Sequence, residues 1–152
     1  MTVDEAMKRL KEEGFKDTER RREILAIVSS AHRYISAREI YEVMREKNPG
    51  MSLDTVYRNL STFVEFHILE ETTLDDERKF RFACNPSLHH HHHYICLGCG
   101  ITKIVDVCPM ENALINEVED FQITSHKFEI YGYCKACQEK GNQQEKCNQS
   151  DK

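Results

Sequence analysis

Seven cysteines and eight histidines stand in 152 residues, and most of them are grouped. Cys96-Leu-Gly-Cys99 and Cys134-Lys-Ala-Cys137 are two CxxC turns. A tight CxxC turn aims two sulfurs at one centre, and two such turns supply the four thiolates of a closed tetrahedral zinc site. A single CxxC can also be a redox pair, but two copies favour a structural metal. His89 to His93 form a run of five histidines. A terminal run of this kind would be an expression tag. This one is internal and leads straight into Tyr94-Ile95-Cys96. On an extended strand alternate side chains face opposite ways. His91 and His93 then share one face, and His90 and His92 the other, so one strand can give an imidazole pair to each of two metal sites. His89 lies nearest the preceding hinge. Cys108 and Cys147 stand outside the pairs. Cys108 reads as a buried thiol ahead of a helix, and Cys147 as a tail residue without a role.

The elements that must hold these groups fall into two halves. Residues 2–13 place Val3, Ala6, Met7 and Leu10 on one helix face, and Gly14 stops the helix. Residues 18–30 repeat the pattern with Ile24, Leu25, Ile27 and Val28, capped by Thr18. Ser36-Ala-Arg-Glu39 is a capping box opening a helix that carries Ile40, Val43 and Met44. Asn48-Pro49-Gly50 ends it with turn chemistry. Ser52 or Asp54 then caps a fourth helix bearing Val56, Leu60, Phe63 and Val64. The period changes after that. Ile68 to Leu74 and Lys79 to Ala83 read as strands around the polar turn Asp75 to Arg78. Helices followed by a hairpin make the layout of a winged helix-turn-helix. Asn85-Pro86-Ser87-Leu88 reads as a hinge. The second half runs strand (His93 to Leu97), strand (Ile101 to Val107), helix (Pro109 to Glu119, with proline suited to the first turn) and strand (Lys127 to Tyr133). The polar tail after Gln138 has no apolar period and is expected to be disordered. The fold class is therefore α+β: a winged-helix domain over 1–84, a hinge over 85–88, and an α/β metal-binding domain over 89–137 with the four-cysteine zinc site.

Composition narrows the function classes. Charged residues make up 31% and hydrophobic ones 39%, which suits a water-soluble globular chain. No apolar run approaches the roughly 18 residues needed to span a membrane. The first residues lack the layout of a secretory signal. A cytoplasmic location follows, and in that reducing compartment grouped cysteines are metal ligands rather than disulfides. The net charge of −5 weighs against nucleic-acid binding unless basic side chains share a face. Lys16, Arg20, Arg21, Arg22 and Arg58 all fall in the N-terminal half. In the fourth helix Tyr57, Arg58 and Asn59 are candidates for the groove, since helix-turn-helix proteins dock the first half of that helix in the major groove. Arg20 to Arg22 touch phosphates or pair with Glu19 and Glu23.

Taken together, Asp54-Thr-Val-Tyr-Arg-Asn-Leu60, the histidine run through Tyr-Ile-Cys-Leu-Gly-Cys-Gly100, and His126-Lys-Phe-Glu-Ile-Tyr-Gly-Tyr-Cys134 closely resemble the ferric uptake regulator family of bacterial metalloregulators. The likeness extends from about Val3 to Cys137 and is greatest to the zinc uptake regulator branch. The resemblance implies a homodimer paired through its C-terminal domains, whose winged helices bind a palindromic double-stranded DNA operator when metal is bound. By position it implies a regulatory zinc held by Cys84, His91 and His93 with Glu70 as fourth ligand. It implies a second site of His90, His92, Glu111 and His126. Two departures favour zinc sensing. Iron and peroxide sensors of the family carry a histidine ligand just before the third helix, where this chain has Tyr34. They also use a carboxylate near the position of Cys84, and a thiolate favours zinc over iron. An iron- or peroxide-sensing repressor of the same family is the alternative. A metalloenzyme would need an open metal position beside a general base, and no HExxH or similar motif is present. A metal-storage protein would have no use for a winged helix.

Overall fold

A computed structural model describes residues 1–83, 92–105, 108 and 126–140. Cys84, the hinge over 85–88, His89 to His91, the helix read over Pro109 to Glu119 with Glu111, and the tail from residue 141 lie outside the described residues. The chain divides into two compact units, Met1–Asn85 and Pro86–Lys152.

In the first unit the helices begin where short polar side chains can accept the orphan N–H groups of a first turn. Thr2 caps α1 (Val3–Glu12), Thr18 caps α2 (Glu19–Ala31), Ser36 caps α3 (Ala37–Arg45) and Ser52, not Asp54, caps α4 (Leu53–Glu65). The Ser36–Glu39 capping box is present in full. The apolar faces of the four helices merge into one core containing Leu10, Ile24, Leu25, Ile40, Met44, Val56, Leu60 and Phe63. Val43 is not part of it and is 54% exposed. At about 100° per residue it sits roughly 60° beyond Ile40, on the side away from Ala37 and Met44.

The wing is a hairpin of β2 (Leu69–Leu74) and β3 (Glu77–Phe82), closed more tightly than the four-residue turn expected. Glu77 already pairs with Leu74. Asp75 and Asp76 make the whole turn, with φ of 53° and 58°, the left-handed pair that suits a two-residue hairpin. A two-residue strand, β1 (Ile35–Ser36), adds to the other edge of β3 and gives the order β1-β3-β2. It brings the segment just before α3 against the wing, with Ile35 opposite Phe80. This is a winged helix-turn-helix.

The second unit holds a three-stranded sheet in the order β5-β4-β6. Its strands are β4 (His92–Cys96), β5 (Thr102–Val105) and β6 (Glu129–Gly132). β4 is central, antiparallel to β5 and parallel to β6. A helical turn follows at residues 135–140, so residues 139 and 140 of the expected disordered tail are ordered. Ile95, Cys96 and Cys108 are the buried apolar residues among those described here. Among the described residues no helix is long and apolar enough to cross a membrane.

Candidate metal centres and nucleic-acid interface

The four thiols come from two knuckles set against each other. Cys96 ends β4, and the chain turns back at once: Gly100 N–H donates to Cys96 O at 2.8 Å and Cys96 N–H to Ile101 O at 2.9 Å. Gly100 makes the reversal with φ of 73°, a region open to glycine. The second knuckle follows β6, with Cys137 N–H donating to Cys134 O at 2.9 Å. Parallel pairing of β4 and β6 puts Cys96 opposite Gly132, which brings the two turns together. Gly98 lies in the gap. A Cβ there would stand 2.9 Å from Cys137 Sγ.

All four sulfurs lie within 4.8 Å of one another. Cys99 Sγ and Cys134 Sγ are 3.8 Å apart. With Zn–S near 2.3 Å, a tetrahedron has S···S edges of about 3.8 Å, so the residues fit a zinc ion. A disulfide, at about 2.05 Å, does not fit. The thiols are unequal. Burial pushes Cys96 up, but the N–H groups of Cys134, Cys99 and Gly98 and the Cys99 thiol outweigh it and bring Cys96 down to about 6. One of these, Cys134 N–H to Cys96 Sγ, measures 3.2 Å. Cys137 is pushed up to about 12 by the Cys134 thiol, by burial and by the sulfurs of Cys96 and Cys99. Burial also raises Cys99.

A second cluster joins His92, Cys108 and His126, again within 4.8 Å. The His92 and His126 rings lie 5.2 Å apart, and His92 meets Phe128 edge-on at 5.4 Å. Cys108 Sγ is 3.4 Å from His126 Nε2. His92 and His126 were expected together, with His90 and Glu111, which lie outside the described residues. Cys108 was not expected, because a lone cysteine carries no spacing signal. His93 is buried and is not in this cluster. It follows His92 on the strand, so the two project to opposite faces.

The expected regulatory ligands are divided between the units. Glu70, in β2, forms an ion pair with Arg81 of β3, its cross-strand partner. The Arg81 guanidinium in turn lies 5.3 Å from the ring centre of Tyr34. Tyr34 is 1% exposed and belongs to the packing of the first unit. Arg81 was missed in the sequence, where nothing separates it from other wing cations.

On α4, Arg58 is exposed and meets Asp54 at 3.0 Å. Tyr57 is half-buried against the core. Asn59 is engaged at both ends of its amide: it accepts from Arg21 Nε at 3.3 Å and donates to Thr55 O at 2.7 Å. Lys16 and Arg20 are exposed. The arginines of α2 do not pair with Glu19 and Glu23. Arg22 binds Asp4 at 2.7 Å and Asp17 at 2.6 Å, and Arg21 lies over Phe15, 5.2 Å from its ring centre. The fold brings Asp4 and Asp17 to Arg22, and these carboxylates take the guanidinium instead.

A winged helix on one chain with clusters of sulfur and imidazole donors is the build of a metal-linked transcriptional regulator. Residues 12–131 match the ferric uptake regulator family, and the chain belongs to that family. A ferric uptake regulation protein of Staphylococcus epidermidis is 45% identical over 142 residues, covering 93% of this chain and 100% of that protein. Among solved structures, the Helicobacter pylori ferric uptake regulator Fur, described as having three functional metal binding sites, superposes with a TM-score of 0.67. It is 26% identical and covers 91% of this chain and 95% of that one. A zinc uptake regulator complexed with zinc and DNA shares the fold at a TM-score of 0.65. It is 22% identical, over 93% of this chain and 99% of that one.

Proposed function

We propose that this regulator is a cytoplasmic zinc-responsive repressor of metal-uptake genes, binding a palindromic operator as a metal-loaded homodimer. Tyr34 carries the choice of metal. In iron and peroxide sensors of the resembling family a histidine ligand precedes the third helix. Here a buried phenol fills that place, packed under Arg81. The remaining ligand set is Glu70, Cys84, His91 and His93. Its thiolate shifts the preference from iron towards zinc.

Zinc bound to that set would favour the form of the protein that reaches both half-sites. Zinc raises operator affinity only by the difference in its binding to competent and incompetent forms. Such couplings are typically about 1–3 kcal/mol. The exposed Arg58, with Tyr57, Lys16 and Arg20, supports DNA contact by α4 and the start of α2. Asn59 supports it by fixing Arg21 between these helices. Tyr94, Ile104, Tyr131 and Tyr133, exposed on the second unit, support pairing there. The zinc at Cys96, Cys99, Cys134 and Cys137 is structural. The site of His90, His92, Glu111 and His126 tunes the response.

Iron sensing is the second reading, favoured by the names of the curated relatives. Operator binding in separately buffered zinc, iron(II) and manganese(II) decides between them. Zinc should saturate binding at the lowest free concentration. Cys84→Ser should lose the zinc dependence while keeping its four-cysteine zinc. Binding driven by iron(II), with no response to zinc, would establish the iron sensor instead.

A further inference from the structure

We infer that Cys108 supplies a thiolate to the metal held by His92 and His126, making the second centre a mixed sulfur–imidazole site. The inference deepens the proposed second site and rests on its two histidines being ligands. Three donors from three separate segments converge there. His92 lies on β4, Cys108 follows β5, and His126 precedes β6. His92 is 3% exposed and Cys108 5%, so their donor atoms face inward. With Zn–S near 2.3 Å and Zn–N near 2.0–2.1 Å, tetrahedral coordination sets an S···N edge of about 3.6 Å. The Cys108 Sγ to His126 Nε2 distance is 3.4 Å. The edge-on ring of Phe128 restricts the turning of His92.

Binding replaces the Cys108 S–H bond with a metal–sulfur bond and releases one proton to solvent. A divalent ion keeps its charge throughout, so no oxidant or reductant is needed. One thiolate with two imidazoles suits zinc, cobalt(II) or cadmium. It disfavours manganese(II), which prefers oxygen donors.

Cobalt(II) is the probe, added to full-length Cys84→Ser protein whose four-cysteine site retains zinc. That background removes the other expected sensing thiolate. One cobalt per chain should bind and give a sulfur-to-cobalt charge-transfer band in the near ultraviolet. Cys108→Ser in the same background should abolish the band, leave zinc at one per chain, and weaken cobalt binding at least as much as the ~10–100-fold lost with an outer-shell partner. Cys108→His, which restores a donor without sulfur, should recover cobalt binding but not the band. Circular dichroism of each variant separates ligand loss from misfolding. A Cys84→Ser protein that binds cobalt without a charge-transfer band, or a band that survives Cys108→Ser, overturns the inference. Neither outcome bears on zinc-dependent operator binding through Cys84, which is measured separately.

Discussion

At the scale of single residues, Gly98→Ala puts a methyl group 2.9 Å from Cys137 Sγ, so one knuckle must move. Zinc retention in a chelator competition should fall about tenfold or more, as for other losses of support around a metal. The four clustered thiols were legible in the sequence because each pair is fixed by its own turn, whatever the rest of the chain does. Cys108 and Arg81 meet partners brought to them by the fold, and no residue beside them in sequence announces it. A second outcome concerns Glu70, which under the proposed function would divide its carboxylate between Arg81 and a metal. Arg81→Gln removes that competitor. If the lost pair is worth about 1 kcal/mol, operator binding should appear at about fivefold lower free zinc, read from titrations in buffered metal.

Secondary structure was most readable where its signals are chemical. Thr18, Ser36 and Glu39 announce helix starts because the capping bonds they make are local. β1 gave no signal: two residues cannot show a period, and its partner β3 lies more than forty positions away. The hairpin was read too long because Asp75-Asp76 lacks the glycine that marks most tight turns. The Ser36–Glu39 box also makes a pH prediction. Burial raises the Glu39 carboxyl, but the ion pair with Arg33 and the Ser36 N–H outweigh it and hold the group below its usual range. Its folded value is depressed, so its stabilisation is complete above the ordinary carboxylate range and is lost as pH falls through the lowered value. Glu39→Ala should cost about 1 kcal/mol at neutral pH, chiefly from the cap because the ion pair is partly solvated. The gap from the parent protein should close in acid, measured by urea unfolding across pH.

For the whole molecule, the two units stand on different kinds of support. The first has a continuous apolar core. The second brings four sulfurs together, so zinc bound there should supply much of its folding free energy. Zinc uptake by the metal-free protein must drive protons off thiols, Cys137 above all, since it holds its proton up to about 12. Affinity should therefore fall as pH drops. The fall should steepen below about 6, where Cys96 too is protonated before metal arrives. Zinc release to a chelator, followed as a function of pH together with the loss of the second unit's thermal transition, tests this. The division into two halves was legible from the change of period near residue 68. The convergence of four sulfurs in the second half was legible through its two CxxC turns.

β4 carries His92 and His93 at one end and Cys96 at the other, about 10–13 Å of extended backbone locked between two neighbours. The strand behaves as a ruler with its zero mark soldered to the structural zinc. Under the proposed function, His92 and His93 would be measured from that mark. Removing the zinc would therefore do more than loosen a fold: it would decalibrate the instrument, leaving donors of unchanged chemistry at uncertain positions. A Cys96→Ser chain should then respond to metal sluggishly and over a broadened range, even with every expected sensing ligand intact.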